Sequence, residues 1–401
     1  MYQTAASEIL DVIHTYSQSF GPMMYTWLGT YPVLLITEPD IIRDILTSPY
    51  CTNKGLLYEP LIKGIGRGLI TSKEPEWSVH RKLLNPAFSF KILQSFMPIF
   101  NQEVNNIITI LNKNNECSNM TTLMQDHTLN VAIRTTFGLN VTGDGKNGQN
   151  NCLKQNYQCR KLNLDKSLTP REPKNLNIFL DQAIELMRKN EFTVQQVEDE
   201  LNTILLAAFE TTANTITYTL MLLAMFPEYQ EKVYKELRSL FPHAGDFEVT
   251  YENTQDMIYM GMVINESMRV LPPVPFVARE NSHEIELTNG IVIPAGVQFG
   301  LNIFTMHRRK DLWGANADIF DPDNFLPSNT EGRHPYAFIP FTKGMRNCIG
   351  WKYGLLSTKV ALAKLLMNFK FSTDFKYVDL QFYNSIVLEL KQTPVLKIER
   401  R

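Results

Sequence analysis

Two hydrophobic periodicities alternate along the chain, and the helical one dominates. Residues 25–37, YTWLGTYPVLLIT, alternate around a central Gly-Thr-Tyr-Pro and predict a strand hairpin. Pro39-Asp40 opens a short helix, whereas residues 55–75 are punctuated by Gly and Pro and read as a loop. Helical spacing follows around 76–114, 121–138 and 175–190. Thr193-Val-Gln-Gln196 is a capping-box pattern that starts a long helix running to Pro227. Amphipathic helices are predicted over 227–240 and 254–270, and strands over 283–300 with Asn289-Gly290 as a hairpin turn. A Pro/Asn/Asp-rich stretch, 311–335, precedes a loop that ends at Cys348, and a last long helix starts there. The pattern is mainly α with a small β portion, and no internal repeat is visible.

Two segments depart from it. Residues 140–172 are rich in Asn, Gly, Lys and Gln with little apolar periodicity, which predicts a loop or linker. The N-terminal MYQTAASEILDVIHTYSQSF lacks a basic start followed by an apolar run, so it reads as neither signal peptide nor membrane anchor. Leu220 to Phe226 is apolar but far short of the ~20 residues that span a bilayer. The expectation is a soluble or peripheral protein.

Composition changes this picture little. With 401 residues, 44% of them hydrophobic, the chain can bury one large core, although the length also permits two or three domains. A formal net charge of -2 gives no reason to expect nucleic acid as a partner. Local basic runs (His80 to Lys82, His307 to Lys310, Lys343 to Arg346) read by default as solvated surface. The five cysteines include no CxxC pair, which argues against a zinc site or a disulfide framework and for a reducing compartment. Sequons at Asn119 and Asn140 lie in asparagine-rich stretches and read as chance matches.

The strongest chemical signal is Phe341-Thr-Lys-Gly344-Met-Arg346-Asn-Cys348-Ile-Gly350. A thiolate that binds a metal needs a lowered pKa and shielding from water. A loop ending at a helix N-terminus supplies both unpaired N–H groups and a positive dipole end. Gly344 permits a tight turn, Gly350 lets the helix lie close to a flat ligand, Phe341 can cover the sulfur, and Arg346 can fork onto a carboxylate. A lone cysteine is by default a buried structural residue. The full FxxGxRxCxG pattern reverses that default: it resembles the haem-binding signature of the cytochromes P450 at every fixed position.

Other segments fit the same family in order. Glu266-Ser-Met-Arg269 resembles its ExxR, a helical i,i+3 pair that alone would be noise. Trp77-Ser-Val-His-Arg81 places Trp and Arg on one helical face, as propionate binding requires, although such a pair is otherwise most often packing. Its surroundings resemble the family 4 group. Arg279 falls where the family carries another propionate arginine. Ala207-Ala-Phe-Glu210-Thr211-Thr212 resembles the oxygen-activation segment, in which the threonine opens the helix ladder and Glu210 and Thr211 relay protons. Without that context, Thr211 would read as a back-bonding hydroxyl beside an exposed acid.

The resemblance implies a cytochrome P450 fold and non-covalent haem b held by Cys348, Trp77, Arg81, Arg279, Arg346 and Phe341. It implies insertion of one atom of O2 into an apolar substrate such as a fatty acid, terpenoid or xenobiotic. The thiolate is expected to push electron density onto the iron and favour O–O cleavage. Electrons would come from NADPH-cytochrome P450 reductase, with cytochrome b5 as a further partner. Docking is expected near Arg81, Lys82, Lys343 and Lys352, at the cytosolic face of the endoplasmic reticulum, with peripheral membrane contact.

The chain also departs from the family pattern. Ala208 stands where the family has glycine. Ala207 replaces the glutamate that bonds covalently to haem in many family 4 members. Asn324 stands where the meander carries the arginine of the ExxR triad, which predicts a weaker meander. Only 134 residues separate Trp77 from Thr211, short of the family's span. The shortfall falls in and around 140–172, where the helices roofing the substrate pocket are expected, and the family's N-terminal anchor is missing. Two readings stay open: a working monooxygenase, or a haem-binding paralogue or incomplete gene product without turnover.

Overall fold

The computed structural model describes residues 9–28, 30–138, 178–242, 247–384 and 386–401. Residues 140–172, expected to be a loop or linker, lie outside the described residues. Helices α1 (Ile9–Phe20), α2 (Pro39–Thr47), α3 (Glu59–Ile65), α4 (Glu76–Leu84), α5 (Phe90–Ser95), α6 (Met97–Leu111) and α7 (Met120–Phe137) form the N-terminal part. They are followed by α8 (Phe179–Arg188), α9 (Val194–Met225), α10 (Pro227–Leu240), α11 (Tyr251–Asp256), α12 (Ile258–Val270) and α13 (Trp351–Asn368).

The long helix α9 organises the molecule. Its capping box forms as the sequence predicts, with Thr193 and Gln196 each bonding the other's backbone N–H, and Pro227 ends it by starting α10. Every residue from Thr212 to Ala224 is buried, so this half has no solvent face and shows no amphipathic stripe. It packs against α7, α12 and α13. Its polar side chains are largely satisfied: Thr215 and Thr219 donate back one turn, and Asn214 and Tyr218 both donate to the Leu388 carbonyl.

A four-stranded sheet lies beside the helices, in the order β1 (Met23–Leu28), β2 (Tyr31–Ile36), β7 (Gln298–Asn302), β4 (Phe276–Glu280). The β2–β7 pairing is parallel and the other two are antiparallel. Two strands, β5 (Ile285–Glu286) and β6 (Val292–Ile293), form the small hairpin turned by Asn289-Gly290, where Gly290 has φ +78. The strand β3 (Glu116–Cys117) pairs with β11 (Leu396–Arg400), which also pairs with β8 (Phe369–Ser372). A last hairpin joins β9 (Phe382–Asn384) to β10 (Leu388–Leu390).

Two predicted elements need correction. The segment 55–75 is not all loop: Gly55 and Gly66, both at positive φ, bracket the helix α3, which carries Pro60 in its first turn, where proline is tolerated. The predicted helix 254–270 is two helices, because Met257, with ψ 72, leaves helical geometry between α11 and α12. Strand β4 and the strands after α13 were not signalled by the periodicity, because each is short.

Candidate haem site

The cysteine loop is built from its backbone outward. Gly344 adopts φ +75, and a Cβ there would lie 1.8 Å from the Leu46 carbonyl oxygen at the end of α2. The glycine therefore serves both turn geometry and close approach. Thr342 also sits at positive φ, 55°. The Cys348 N–H donates to the Phe341 carbonyl at 3.0 Å, closing the loop just before α13. Phe341 itself packs against the main core.

Cys348 retains solvent-accessible surface, yet burial pushes its thiol pKa up, as expected for a side chain at the floor of a recess. The Gly350 amide, Arg81 and Lys54 pull it down without outweighing the burial. The expected lowering by the loop alone is thus not what the structure has. A metal cation on the sulfur is the contribution that would deprotonate it.

Cations gather around this recess. Arg279 is 1% exposed; its Nη1 donates to the Ala278 carbonyl at 2.8 Å, and its Nη2 has no partner. Arg346 lies over the Trp77 ring at 4.9 Å and donates to the carbonyls of Thr52 at 2.7 Å and Ser72 at 2.6 Å, leaving Nε unpartnered. Its two terminal nitrogens are therefore committed to backbone rather than free to fork. Arg81 is committed too, bonding Asn347 O at 2.8 Å and Asn347 Oδ1 at 2.9 Å. Lys54 and Tyr58, which sequence reasoning missed, join the group, with the Lys54 ammonium 4.5 Å from the Tyr58 ring centre. Burial, then Arg346 and Arg279, hold the Lys54 pKa well below its usual range. No motif marks these two residues in the sequence.

Unpartnered buried guanidinium nitrogens and mutually repelling cations beside a recessed thiol are costly unless anions complete them. Two carboxylates and a metal would do so. The donor set fits haem: Cys348 for the iron, and Arg279, Arg346, Lys54 and Trp77 toward the propionates.

The ExxR pair forms a separate, fully buried cluster. Arg269 Nε and Nη2 fork onto Glu266 at 2.7 and 2.6 Å. Its remaining donors hold the carbonyls of His307 at 2.8 Å, Ala317 at 2.5 Å and Ile319 at 2.9 Å. Glu266 Oε1 also accepts from Asp321 N at 2.8 Å and Asn324 Nδ2 at 3.1 Å. The amide thus takes the expected place. Arg333, also missed, stacks on Trp313 at 4.0 Å and donates to the Asn324 carbonyl at 3.0 Å.

On α9, the Thr211 hydroxyl donates to the Ala207 carbonyl at 2.7 Å, and the helix is α throughout. The expected opening of the ladder at Thr211 is therefore absent; the hydroxyl finds its acceptor one turn back without breaking the helix. Burial, then Glu389, raises the Glu210 pKa. A Cβ at Gly354 would meet Thr212 Oγ1 at 3.8 Å, so this segment crosses α13 a turn and a half beyond Cys348.

Known proteins match this sequence along nearly the whole chain. The family model for Cytochrome P450 matches residues 1–158 and 146–396, and the junction of the two segments falls within 140–172. The Drosophila melanogaster protein named "Probable cytochrome P450 313a4" is 42% identical over 443 aligned positions, covering 98% of this chain and 90% of that protein. "Probable cytochrome P450 313a3" is 38% identical, with 96% and 88% covered, and "Probable cytochrome P450 4ac2" is 30% identical, with 94% and 83% covered, both from the same organism. The alignment to the first is longer than the 401 residues here, so that relative carries internal residues without counterpart in this chain. With signature, site and fold in agreement, the chain belongs to the cytochrome P450 family.

Proposed function

We propose that this chain holds haem b non-covalently, with Cys348 as the axial ligand, and acts as a monooxygenase on an apolar organic substrate of fatty-acid, terpenoid or xenobiotic type. Family membership implies a haem-thiolate monooxygenase; what carries the reading to these residues is the recessed Cys348 ringed by incompletely partnered buried cations. When bound, the haem supplies the redox chemistry of dioxygen activation.

The protein's part is binding, orientation and proton supply. Arg279, Arg346 and Lys54 neutralise propionate charge, and Trp77 supports Arg346 through its ring face. The Ala207 methyl group offers no carboxylate for a covalent bond, so the haem is extractable. The raised Glu210 pKa lets this side chain keep its proton at a higher pH than a free carboxylic acid.

Electrons are assigned to NADPH-cytochrome P450 reductase, with cytochrome b5 as an auxiliary donor. The support is a surface on the sulfur side where exposed Val79, Met345 and Trp351 are flanked by exposed Lys82 and Lys352. Arg81 and Lys343 contribute less, being bonded to Asn347 and to the Pro335 carbonyl. Residence at the cytosolic face of the endoplasmic reticulum membrane is proposed from the family resemblance; no helix among the described residues is long and apolar enough to cross a membrane.

A second reading, haem binding without turnover, is favoured by one observation: the family match breaks within 140–172, where the pocket roof is expected. Reduced protein with carbon monoxide should show a thiolate-type Soret band that is absent in Cys348→Ala. Loss of all haem incorporation in the unmodified chain would overturn both readings. Good haem occupancy with no product from fatty-acid and terpenoid panels, given reductase and NADPH, would select the second.

A further inference from the structure

We infer that Thr128 is a positioning residue for the Glu210–Thr211 segment, because its hydroxyl reaches across from α7 and holds the carbonyl of Phe209 in α9. The inference deepens the monooxygenase reading and rests on it for the use made of that segment.

The geometry is specific. A buried threonine inside a helix ordinarily settles its hydroxyl one turn back, on a carbonyl of its own helix. Thr128, 2% exposed, does have the Met124 carbonyl at 2.9 Å, but its nearer acceptor is the Phe209 carbonyl of α9 at 2.7 Å. A β-branched side chain has few rotamers, so the α7 backbone sets the direction of that hydroxyl. The Phe209 carbonyl already serves the ladder of α9, which is α-helical throughout. A carbonyl has two lone pairs, so the cross-helix donor adds to the ladder without opening it. The Phe209 carbonyl and the Glu210 N–H belong to one peptide unit. Holding that oxygen therefore fixes where α9 presents Glu210.

The anchor falls where the packing of α9 is thinnest. Leu206, Ala207, Ala208, Glu210 and Thr211 are half-buried, whereas every residue from Thr212 to Ala224 is buried. Two of those five are alanines, with little side chain to interlock. Two turns further along α7 and on the same face, Thr135 shares a hydrogen bond of 3.1 Å with the Tyr353 hydroxyl. Tyr353 sits in the first turn of α13, just past the cysteine loop. One face of α7 thus reaches both the helix that carries Glu210 and the helix that follows Cys348.

The test uses the full chain loaded with haem, as Thr128→Val and Thr128→Ser. Valine keeps the shape and removes the hydroxyl; it strands no acceptor, because the Met124 and Phe209 carbonyls keep their helical donors. Amide hydrogen exchange along α9, and product formed per NADPH consumed with reductase, are read for each. Thr128→Val should speed exchange about fivefold between residues 207 and 214 and leave Thr215 to Ala224 unchanged. Coupling should fall about fivefold with KM little changed, and Thr128→Ser should restore both. A uniform rise in exchange along α9, or no rise, would overturn the anchor and reduce Thr128 to packing. Faster local exchange with coupling intact would overturn its positioning role. An unmodified chain that binds haem and forms no product would instead sink the monooxygenase reading, with the exchange result still deciding the anchor.

Discussion

Asn324 donates its side-chain amide to Glu266 Oε1 at 3.1 Å, the same oxygen that Arg269 Nη2 reaches at 2.6 Å. An uncharged donor in this position leaves the buried Glu266–Arg269 pair neutral as a unit, while Arg269 ties the His307 carbonyl and two meander carbonyls, those of Ala317 and Ile319, to α12. The meander is therefore held from both members of the pair, by Glu266 through Asp321 and Asn324 and by Arg269 through Ala317 and Ile319.

Asn324→Leu should remove one of three donors at Glu266 Oε1 and cost about 1–2 kcal/mol, read as a lowered thermal midpoint with the Soret band intact. Arg269→Ala should cost about 3–5 kcal/mol and leave little folded protein, because it strands a buried carboxylate and three carbonyls at once. Equal effects from the two variants would contradict this division of labour.

Gly344→Ala should be far more damaging than Gly350→Ala. The first puts a side chain at φ +75 and a Cβ 1.8 Å from a backbone oxygen, whereas the second meets only Phe88 at 3.8 Å. Positive φ alone costs about 1–3 kcal/mol, and the clash forces α2 away from the loop. The expected readout is a large fall in the thermal midpoint in the first variant and little change in the second.

Stability should fall on the acid side through His307. Burial, then Arg269 and Arg308, depress its pKa to about 3. Its neutral Nε2 accepts the Ile339 N–H at 3.1 Å, two residues before the cysteine loop begins. The folded pKa lies below the unfolded value, so the contribution is complete above pH ~6.5 and lost as pH falls toward about 3. His307→Gln keeps an acceptor that does not titrate, and thermal midpoints measured from pH 7 to pH 4 should fall less steeply in that variant. Parallel curves would show that other groups, such as the buried His127 with its pKa near 4, dominate.

Much of this was legible in the sequence, for identifiable reasons. The capping box of α9, the ExxR fork and the Gly344 turn are short-range patterns, so residue spacing is enough to find them. Lys54, Tyr58, Asn347, His307 and Arg333 were not legible as site residues, because no motif marks them and it is the fold that brings Lys54 to Arg346, Tyr58 to Arg279, Asn347 to Arg81 and His307 to Ile339. The Arg81 fork illustrates the limit: spacing placed it on the Trp77 face, but only the fold shows that residue 347 occupies its guanidinium. Thr211 shows the opposite failure. The motif suggested a broken helix, and local physics, a hydroxyl with a carbonyl one turn back, kept it intact.

That intact helix sharpens the last prediction. The Thr211 hydroxyl has one proton, already donated to the Ala207 carbonyl at 2.7 Å, so its free capacity is as an acceptor. The neighbouring Glu210, with its pKa raised by burial and by Glu389, is the group with a proton to give. Glu210→Gln should therefore cut product formed per NADPH consumed by about 10²-fold while leaving haem binding and the thermal midpoint nearly unchanged. Thr211→Ser should retain coupling and Thr211→Val should lose it, since only the hydroxyl differs in function. In the parent, coupling should decline as pH rises through the raised Glu210 pKa, and the Gln variant should be flat over the same range. A coupled, pH-independent Glu210→Gln would remove this carboxyl group from the proton path and leave Thr211 and solvent to supply it.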